Sequence, residues 1–393
     1  MKIPHLDLAS GTFSKDLWYR FCSRYGESRA QKLVDSLSKP VNNFAVRATT
    51  TKISREEVIA KFEALEWKSA PHEILDEIIK VKTKGRNIIP YLPDAPRIVT
   101  DKIAAESIFV GSDLFGVGVI RVPKLIEEDV VTLISQKDQI VANGISKTNS
   151  KNPKCKGIAV QTTDSFYEVP SLRNLGFIDS GDAFSQSIPA AYVAHVLDPK
   201  KGDKIVDLCA APGGKSTSTA IISNDEVDII AFDRSRRRLE RMAIAIKNQK
   251  LKSIQIINED SIEYIKHHTI KADKVIVDPS CSAVGVRPKI YDETKESDIV
   301  NTTNYQKSFL WAAAKIIRKG GIITYSTCTL EPDENEKVIA YALNELGLKL
   351  VQPNLLMGTC GEDTGDGLDL ECMRRFYPDT FDTPGFFVAK LTK

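Results

Sequence analysis

The 393-residue chain contains no C-x-x-C pair, and its seven cysteines are odd in number and scattered. That excludes a disulfide framework and a paired-cysteine zinc module, and it points to a reducing compartment. Histidine is scarce as well. The five present form no ligand-spaced cluster, so no metal is expected. No apolar run approaches the roughly 20 residues of a membrane span. The opening MKIPHLDLAS lacks the apolar core of a secretory leader. A cytoplasmic protein with no membrane partner, working as a monomer, is therefore expected. Internal repeats and low-complexity tracts are absent. Charge of one sign is also lacking, with 54 Lys and Arg against 52 Asp and Glu and a net charge of +2. What basic excess exists lies in residues 1–92, where 16 Lys and Arg face 11 Asp and Glu. Any polyanion contact should lean on that region.

What is present is ordinary for a globular protein, at 42% hydrophobic and 27% charged residues. The length implies two or three domains. Residues 13–37 carry apolar positions at helical spacing and end at Lys39-Pro40. Residues 44–51 are rich in β-formers, and Ser54-Arg55-Glu56-Glu57 opens a helix through Val58, Phe62 and Leu65. Three prolines within residues 90–96 mark a linker. Residues 97–166 then predict short strands around one helix at 101–109, with residues 116–122 read as a strand, which together make a small β-barrel. After Pro170, strand-like runs at 204–208, 228–232, 254–257, 274–277 and 322–325 alternate with helical patterns at 235–247, 306–317 and 334–344. That alternation predicts a mostly parallel, doubly wound sheet, with a last strand at 386–391.

The first of these strands runs into Asp207-Leu208-Cys209-Ala210-Ala211-Pro212-Gly213-Gly214-Lys215-Ser216. A glycine-rich turn between strand and helix lets backbone approach a ligand at the carboxyl edge of the sheet. The spacing is not that of a P-loop, since only Gly-Gly-Lys-Ser agrees. Asp233 ends the second strand and Asp260 follows the third. A carboxylate at the first position suits ribose hydroxyls and one at the second suits an adenine amino group, which together describe an adenosyl ligand. Each acid also reads as a helix N-cap.

The fourth strand runs into Asp278-Pro279-Ser280-Cys281-Ser282 and the fifth into Tyr325-Ser326-Thr327-Cys328-Thr329. Either cysteine alone reads as a small buried hydrophobe. Two at neighbouring strand ends, one after Asp-Pro, fit covalent catalysis on cytosine. A thiolate adding to C6 makes C5 a carbon nucleophile. An acid supports N3, and a base must later remove the C5 proton. Asp278, Cys281 and Cys328 supply that set, and Lys215 is placed to lower a thiol pKa. Amino-group methylation, the runner-up, lacks its aromatic platform, because the tetrad reads Asp278-Pro279-Ser280-Cys281.

With DLCAAPGGKS at 207–216, DPSCS at 278–282 and STCTL at 326–330, the chain resembles the Sun (Fmu) family of RNA 5-methylcytosine methyltransferases. The resemblance implies an α/β, Rossmann-like methyltransferase domain at 167–393, an N-terminal α/β RNA-binding extension at 1–92 and an inserted PUA β-barrel at 93–166. It implies S-adenosylmethionine as cofactor, held by Cys209, Ala210, Ala211, Pro212, Gly213, Gly214, Lys215, Asp233, Arg238, Asp260 and Asp278. It implies Cys328 as nucleophile and Cys281 as the thiol that assists release. DNA enzymes use the fourth-strand cysteine instead, so Cys328 favours RNA. Phe184-Ser185-Gln186-Ser187 is similar to the family's lead-in helix, and Tyr25-Gly26 with Val46-Arg47 is similar to its RNA-binding extension. The PUA-containing branch methylates the cytidine at position 72, in the acceptor end of tRNA. That implies tRNA as partner and makes Lys102 and Arg121 candidate phosphate contacts. An rRNA substrate and a non-catalytic RNA-binding assembly factor are the alternatives.

Overall fold

The fold was obtained as a computed structural model that describes residues 13–123, 126–149 and 157–393. The opening MKIPHLDLAS and Cys155 lie outside the described residues. Two compact units emerge, each assembled from three stretches of chain: residues 1–44, 82–171 and 287–293 in the first, and 45–81, 172–286 and 294–393 in the second.

In the first unit, residues 13–37 form two helices rather than the single one expected. Lys15–Tyr25 and Glu27–Leu37 are separated by Gly26, whose φ of 73° lies in the left-handed region that interrupts an α-helix. Residues 97–166 build a six-stranded sheet in which Arg97–Thr100 runs parallel to Val130–Ile134 and the other pairings are antiparallel. The helix Lys102–Ile108 is N-capped by Asp101. Ile98, Ile108, Leu114, Val131, Leu133 and Val160 form the core, together with Ile290 and Tyr291 from the distant third stretch. The expected strand at 116–122 is half right. Gly116–Gly118 is a 3-10 turn and only Val119–Arg121 is extended. A Cβ on Gly118 would come within 2.5 Å of the Ala104 side chain, so the turn hugs the helix where a pleated strand would stand off.

The second unit centres on a nine-stranded sheet. Its strands are β1 (Lys204–Asp207), β2 (Asp228–Phe232), β3 (Ile254–Ile257), β4 (Ala272–Val277), β5 (Ile317–Thr327), β6 (Met373–Phe376) and β7 (Phe386–Thr392), plus the short Lys349–Leu350 and Thr359–Cys360. The principal order is β3-β2-β1-β4-β5-β7-β6. β1 to β5 pair in parallel, while β7 lies antiparallel to β5 and to β6. Alternation along the strands buries both faces. Ile205 and Ile276 enter the core on one side, and Val206, Val275 and Val277 enter the core on the other. The covering helices are α1 (Ile188–Leu197), α2 (Gly214–Ile222), α3 (Arg236–Asn248), α4 (Ser261–His267), α5 (Glu296–Ile316) and α6 (Glu336–Leu346). Strand order reverses between β1 and β4, and ligands of open α/β sheets sit at the carboxyl edge of such a point.

A smaller four-stranded sheet joins Asn43–Ala48, Ile78–Lys82, Ser69–Pro71 and Ala183–Ser185. The last of these corrects the lead-in helix expected at 184–187. Phe184 and Ser185 pair with Arg47 and Val46 as a strand, and the helix begins only at Ile188, with Pro189 in its first turn. The capping box of Ser54 and Glu57 forms as expected. Among the described residues no helix is long and apolar enough to cross a membrane.

Candidate active site

β1 ends in Asp207, which is buried and uses both oxygens on the turn that follows. Oδ1 accepts from the Cys209 amide at 3.2 Å, and Oδ2 accepts from the Ser216 hydroxyl at 2.6 Å. Burial pushes this carboxyl up to about 6. Gly213 caps α2 with a φ of 105°, and a Cβ there would strike the Met242 side chain at 2.8 Å. Only glycine meets both demands. Gly214 opens α2, so the amides of the helix's first turn have no acceptor within the helix and present a positive end to the carboxyl edge of the sheet.

Asp233 is not the N-cap of α3. Ser235 takes that place, and Asp233 Oδ1 accepts from the Ser235 amide at 2.8 Å and from Arg238 Nη2 at 2.9 Å. Asp260 does cap α4, with Oδ1 accepting from Ile262 and Glu263. In both acids the bonds fall on one oxygen, which leaves the other for a ligand. Tyr305 on α5, absent from the sequence-derived set, stands under the Arg234 guanidinium at 5.6 Å. Its phenol is pushed up by burial, and Asp260, Cys209 and Asp233 act on it to a lesser degree. The helical pattern read from the sequence began at residue 306, whereas the helix starts at Glu296 and includes Tyr305.

The thiols meet. Cys281, just past β4, lies with Sγ 3.3 Å from Sγ of Cys328, just past β5. The Cys281 thiol is pushed well above its usual value, first by its hydrogen bond with Cys328 and then by burial. Asp278 sits beside them. Its Oδ1 accepts from the Ser326 hydroxyl at 2.7 Å and its Oδ2 from Lys215 at 2.5 Å. Lys215 therefore engages the carboxylate, with the Phe386 ring 5.5 Å away.

Behind Cys281 lies a buried polar group that the sequence did not reveal. Glu334 Oε2 accepts from the Ser282 amide at 2.9 Å and from Gln306 at 2.8 Å, and burial raises its pKa. Ser282 also bonds Thr329 at 2.8 Å, which ties together the segments after the two cysteines. Gly285 donates to the Cys328 carbonyl at 3.0 Å, and Gly385 donates to Gly285 at 2.8 Å. Residues 331–336 are acidic, yet Glu331, Glu334 and Glu336 are fully buried. The one available signal was their position directly after the Cys328 motif.

In the first unit, Lys102 starts its helix with Nζ 3.9 Å from Asp292, and burial lowers its pKa. Arg121 ends its strand exposed. Arg47, expected in an RNA-binding extension, is fully buried and so cannot touch RNA. Among the described residues no group of three or more His, Cys, Asp and Glu is arranged to hold a metal ion.

The family model for 16S rRNA methyltransferase RsmB/F matches residues 194–392, and the PUA domain model matches residues 96–164. The chain is 35% identical over 385 residues to a tRNA (cytosine(72)-C(5))-methyltransferase of Pyrococcus horikoshii, covering 97% of each. It is 24% identical to the human tRNA (cytosine(72)-C(5))-methyltransferase NSUN6, covering 98% of this chain and 96% of that one. The crystal structure of NSun6 from Pyrococcus horikoshii with SFG superposes with a TM-score of 0.87 at 35% identity, covering 97% of this chain and 98% of that one. With its strand order, its paired thiols and these matches, the chain belongs to the Sun (RsmB/F) family of RNA 5-methylcytosine methyltransferases and carries a PUA domain.

Proposed function

We propose that the chain methylates C5 of the cytidine at position 72 of tRNA, with Cys328 as nucleophile, Cys281 as releasing thiol and S-adenosylmethionine as cofactor. The observation that carries this reading is the 3.3 Å approach of the two sulfurs beside Asp278. The residues at the β1, β2 and β3 ends fit the cofactor. A helix start offers amides, Gly213 clears space, and Asp233 and Asp260 each keep an oxygen in hand. Cys209 through Lys215 would line the methionine end, with Arg238 steadying Asp233. S-adenosylmethionine supplies the methyl group.

The chain's own residues do the rest. Cys328 sulfur bonds to C6, and the C5–C6 π pair shifts to C5. Asp278, set by Ser326 and Lys215, takes up the proton that the Cys328 thiol gives up and hands it to N3 as charge develops there. In this reading Cys281, kept protonated, takes the donor's part in the contact between the two sulfurs and so favours the thiolate on Cys328. After methylation a base that Cys281 assists takes the C5 proton, the C5–H bonding pair restores C5=C6, the S–C6 pair departs on Cys328 as thiolate, and Asp278 recovers the N3 proton. The cytidine must leave its stack to reach these groups.

The sequence divisions 1–92, 93–166 and 167–393 serve in this reading as RNA-binding extension, PUA domain and catalytic domain, with Lys102 and Arg121 as phosphate contacts. The likeness to tRNA enzymes along the whole chain favours tRNA over rRNA, although the matching family model is described as one of 16S rRNA enzymes. The described cysteines are free thiols, which supports a reducing, cytoplasmic setting, and we take the working form to be a monomer. The test is transfer of labelled methyl to tRNA transcripts by wild type, Cys328→Ala and Cys281→Ala protein. Cys328→Ala should abolish transfer, and Cys281→Ala should accumulate a denaturant-resistant protein–RNA complex. Full activity in Cys328→Ala overturns the mechanism, and transfer to rRNA alone overturns the substrate.

A further inference from the structure

Arg47 lies on the strand Asn43–Ala48 with no exposed surface, and every hydrogen bond it makes ends on a neutral acceptor. Nη1 donates to Gln186 Oε1 at 2.6 Å and to the Gly214 carbonyl at 2.8 Å. Nη2 donates to Thr217 Oγ1 at 2.7 Å and to Gln249 Oε1 at 3.1 Å. Nε is buried with no partner at all. Burial lowers its pKa to about 9, so the group remains a cation at neutral pH, and Glu77 opposes that shift without bonding to it. Glu77 is bonded instead to His195 at 2.9 Å.

A buried charge without a bonded counter-ion is costly, and an apolar side chain of similar volume would serve packing better. The direction of the bonds explains its presence. Gly214 and Thr217 form the first turn of α2, and the Gly214 carbonyl also receives Gln186 Nε2 at 3.1 Å. The Gly214 carbonyl and the Lys215 amide belong to one planar peptide, in which C=O and N–H point oppositely. Donors pulling on that carbonyl from behind polarise the amide in front and fix its direction. An amide there faces out of the helix start, where anions bind.

We propose that Arg47 is a positioning residue for the cofactor: from behind α2 it fixes and polarises the Gly214–Lys215 peptide, so that the helix start grips the carboxylate of S-adenosylmethionine. This rests on the cofactor assignment above. The residue contributes through the turn and touches neither cofactor nor RNA.

Calorimetric titration of S-adenosylmethionine into wild type, Arg47→Met and Arg47→Lys, beside steady-state kinetics, tests it. We expect Arg47→Met to weaken cofactor binding at least tenfold and to raise the cofactor KM in step. At saturating cofactor, kcat and the tRNA KM should stay within about twofold of wild type. Arg47→Lys, which keeps the charge but makes fewer bonds, should fall between. Because a core variant can fail to fold, Thr217→Val and Gln249→Leu, which each remove one acceptor, should move cofactor affinity the same way by a smaller factor. Unchanged cofactor affinity in folded Arg47→Met, or a loss confined to tRNA affinity, overturns the inference. Failure of the wild type to bind S-adenosylmethionine would instead overturn the cofactor assignment itself.

Discussion

The two halves of the active site are built differently, although both stand at the carboxyl edge of one sheet. The cofactor half, at the ends of β1, β2 and β3, is made of short-range bonds. Asp207 holds residues two and nine positions on, and Asp233 and Asp260 hold amides two or three positions on. The thiol half, at the ends of β4 and β5, depends on contacts across long stretches of chain. Cys281 meets Cys328, Asp278 meets Ser326, Ser282 meets Glu334, and Gly285 meets Gly385. Local geometry can seat a ligand, whereas two thiols can be brought within contact only by the tertiary fold. Changes in the first half should therefore register in cofactor affinity, and changes in the second in turnover.

The sharpest test is Asp278→Asn, which keeps a hydrogen-bonding side chain but removes the carboxylate beside Lys215. Loss of acid–base support of this kind costs about 10²–10⁴-fold. Single-turnover methylation at saturating cofactor should slow by that order. Asp233→Ala should do the reverse. Hydrogen bonds to charged groups are each worth about 1.5–3 kcal/mol, so calorimetry should show cofactor binding weakened by roughly ten- to hundredfold. Denaturant-stable RNA adducts should still form in the Cys281→Ala background. If Asp233→Ala slows chemistry and spares binding, the division between the halves is wrong.

Gly285→Ala probes the thiol half through backbone alone. The new Cβ would fall 2.3 Å from the Gly385 carbonyl oxygen, which forces apart the pair that bonds the Cys328 carbonyl. Overpacking typically costs about 1–3 kcal/mol. A lower Tm together with a several-fold fall in kcat, at unchanged cofactor Kd, is the expected outcome, and an unaltered kcat would detach that bond from the positioning of Cys328. Asp207 is read through stability alone. Its folded pKa, raised from 3.8 to about 6, makes the native state hold its proton more tightly than the unfolded chain does. Stability from this source is full below about pH 4 and is lost as pH rises through about 6. Asp207→Asn removes that loss. Denaturant unfolding should show the variant gaining on wild type by at most about 3 kcal/mol between those pH values, and parallel curves would contradict the assignment.

The same division explains what could be read in the sequence. The Asp207–Ser216 turn, Asp233, Asp260 and the strand-helix alternation were legible, because they are short-range patterns of glycine, acid and period. The proximity of Cys281 and Cys328 was inferred from their equivalent strand ends, and the 3.3 Å contact agrees with it. Glu334, Gln306 and the Gly285–Gly385 approach were not legible, since nothing local marks a residue whose partner lies tens of positions away. Arg47 was legible only as part of a motif similar to the RNA-binding extension, and the fold puts it under Gly214. The helix that the resemblance implied at 184–187 gives way to a strand, because Phe184 and Ser185 pair with Arg47 and Val46.

The stretch 287–293 has a consequence for synthesis. Ile290 and Tyr291 complete the core of the β-rich unit, whose remaining core residues all lie before position 161. On the ribosome that core must wait for more than a hundred further residues before its last two members emerge. The β-rich unit thus cannot finish folding when its own strands have emerged, and the second unit waits longer still, since β7 ends at Thr392. A nascent chain released before Tyr291 would leave the core of the β-rich unit unfinished.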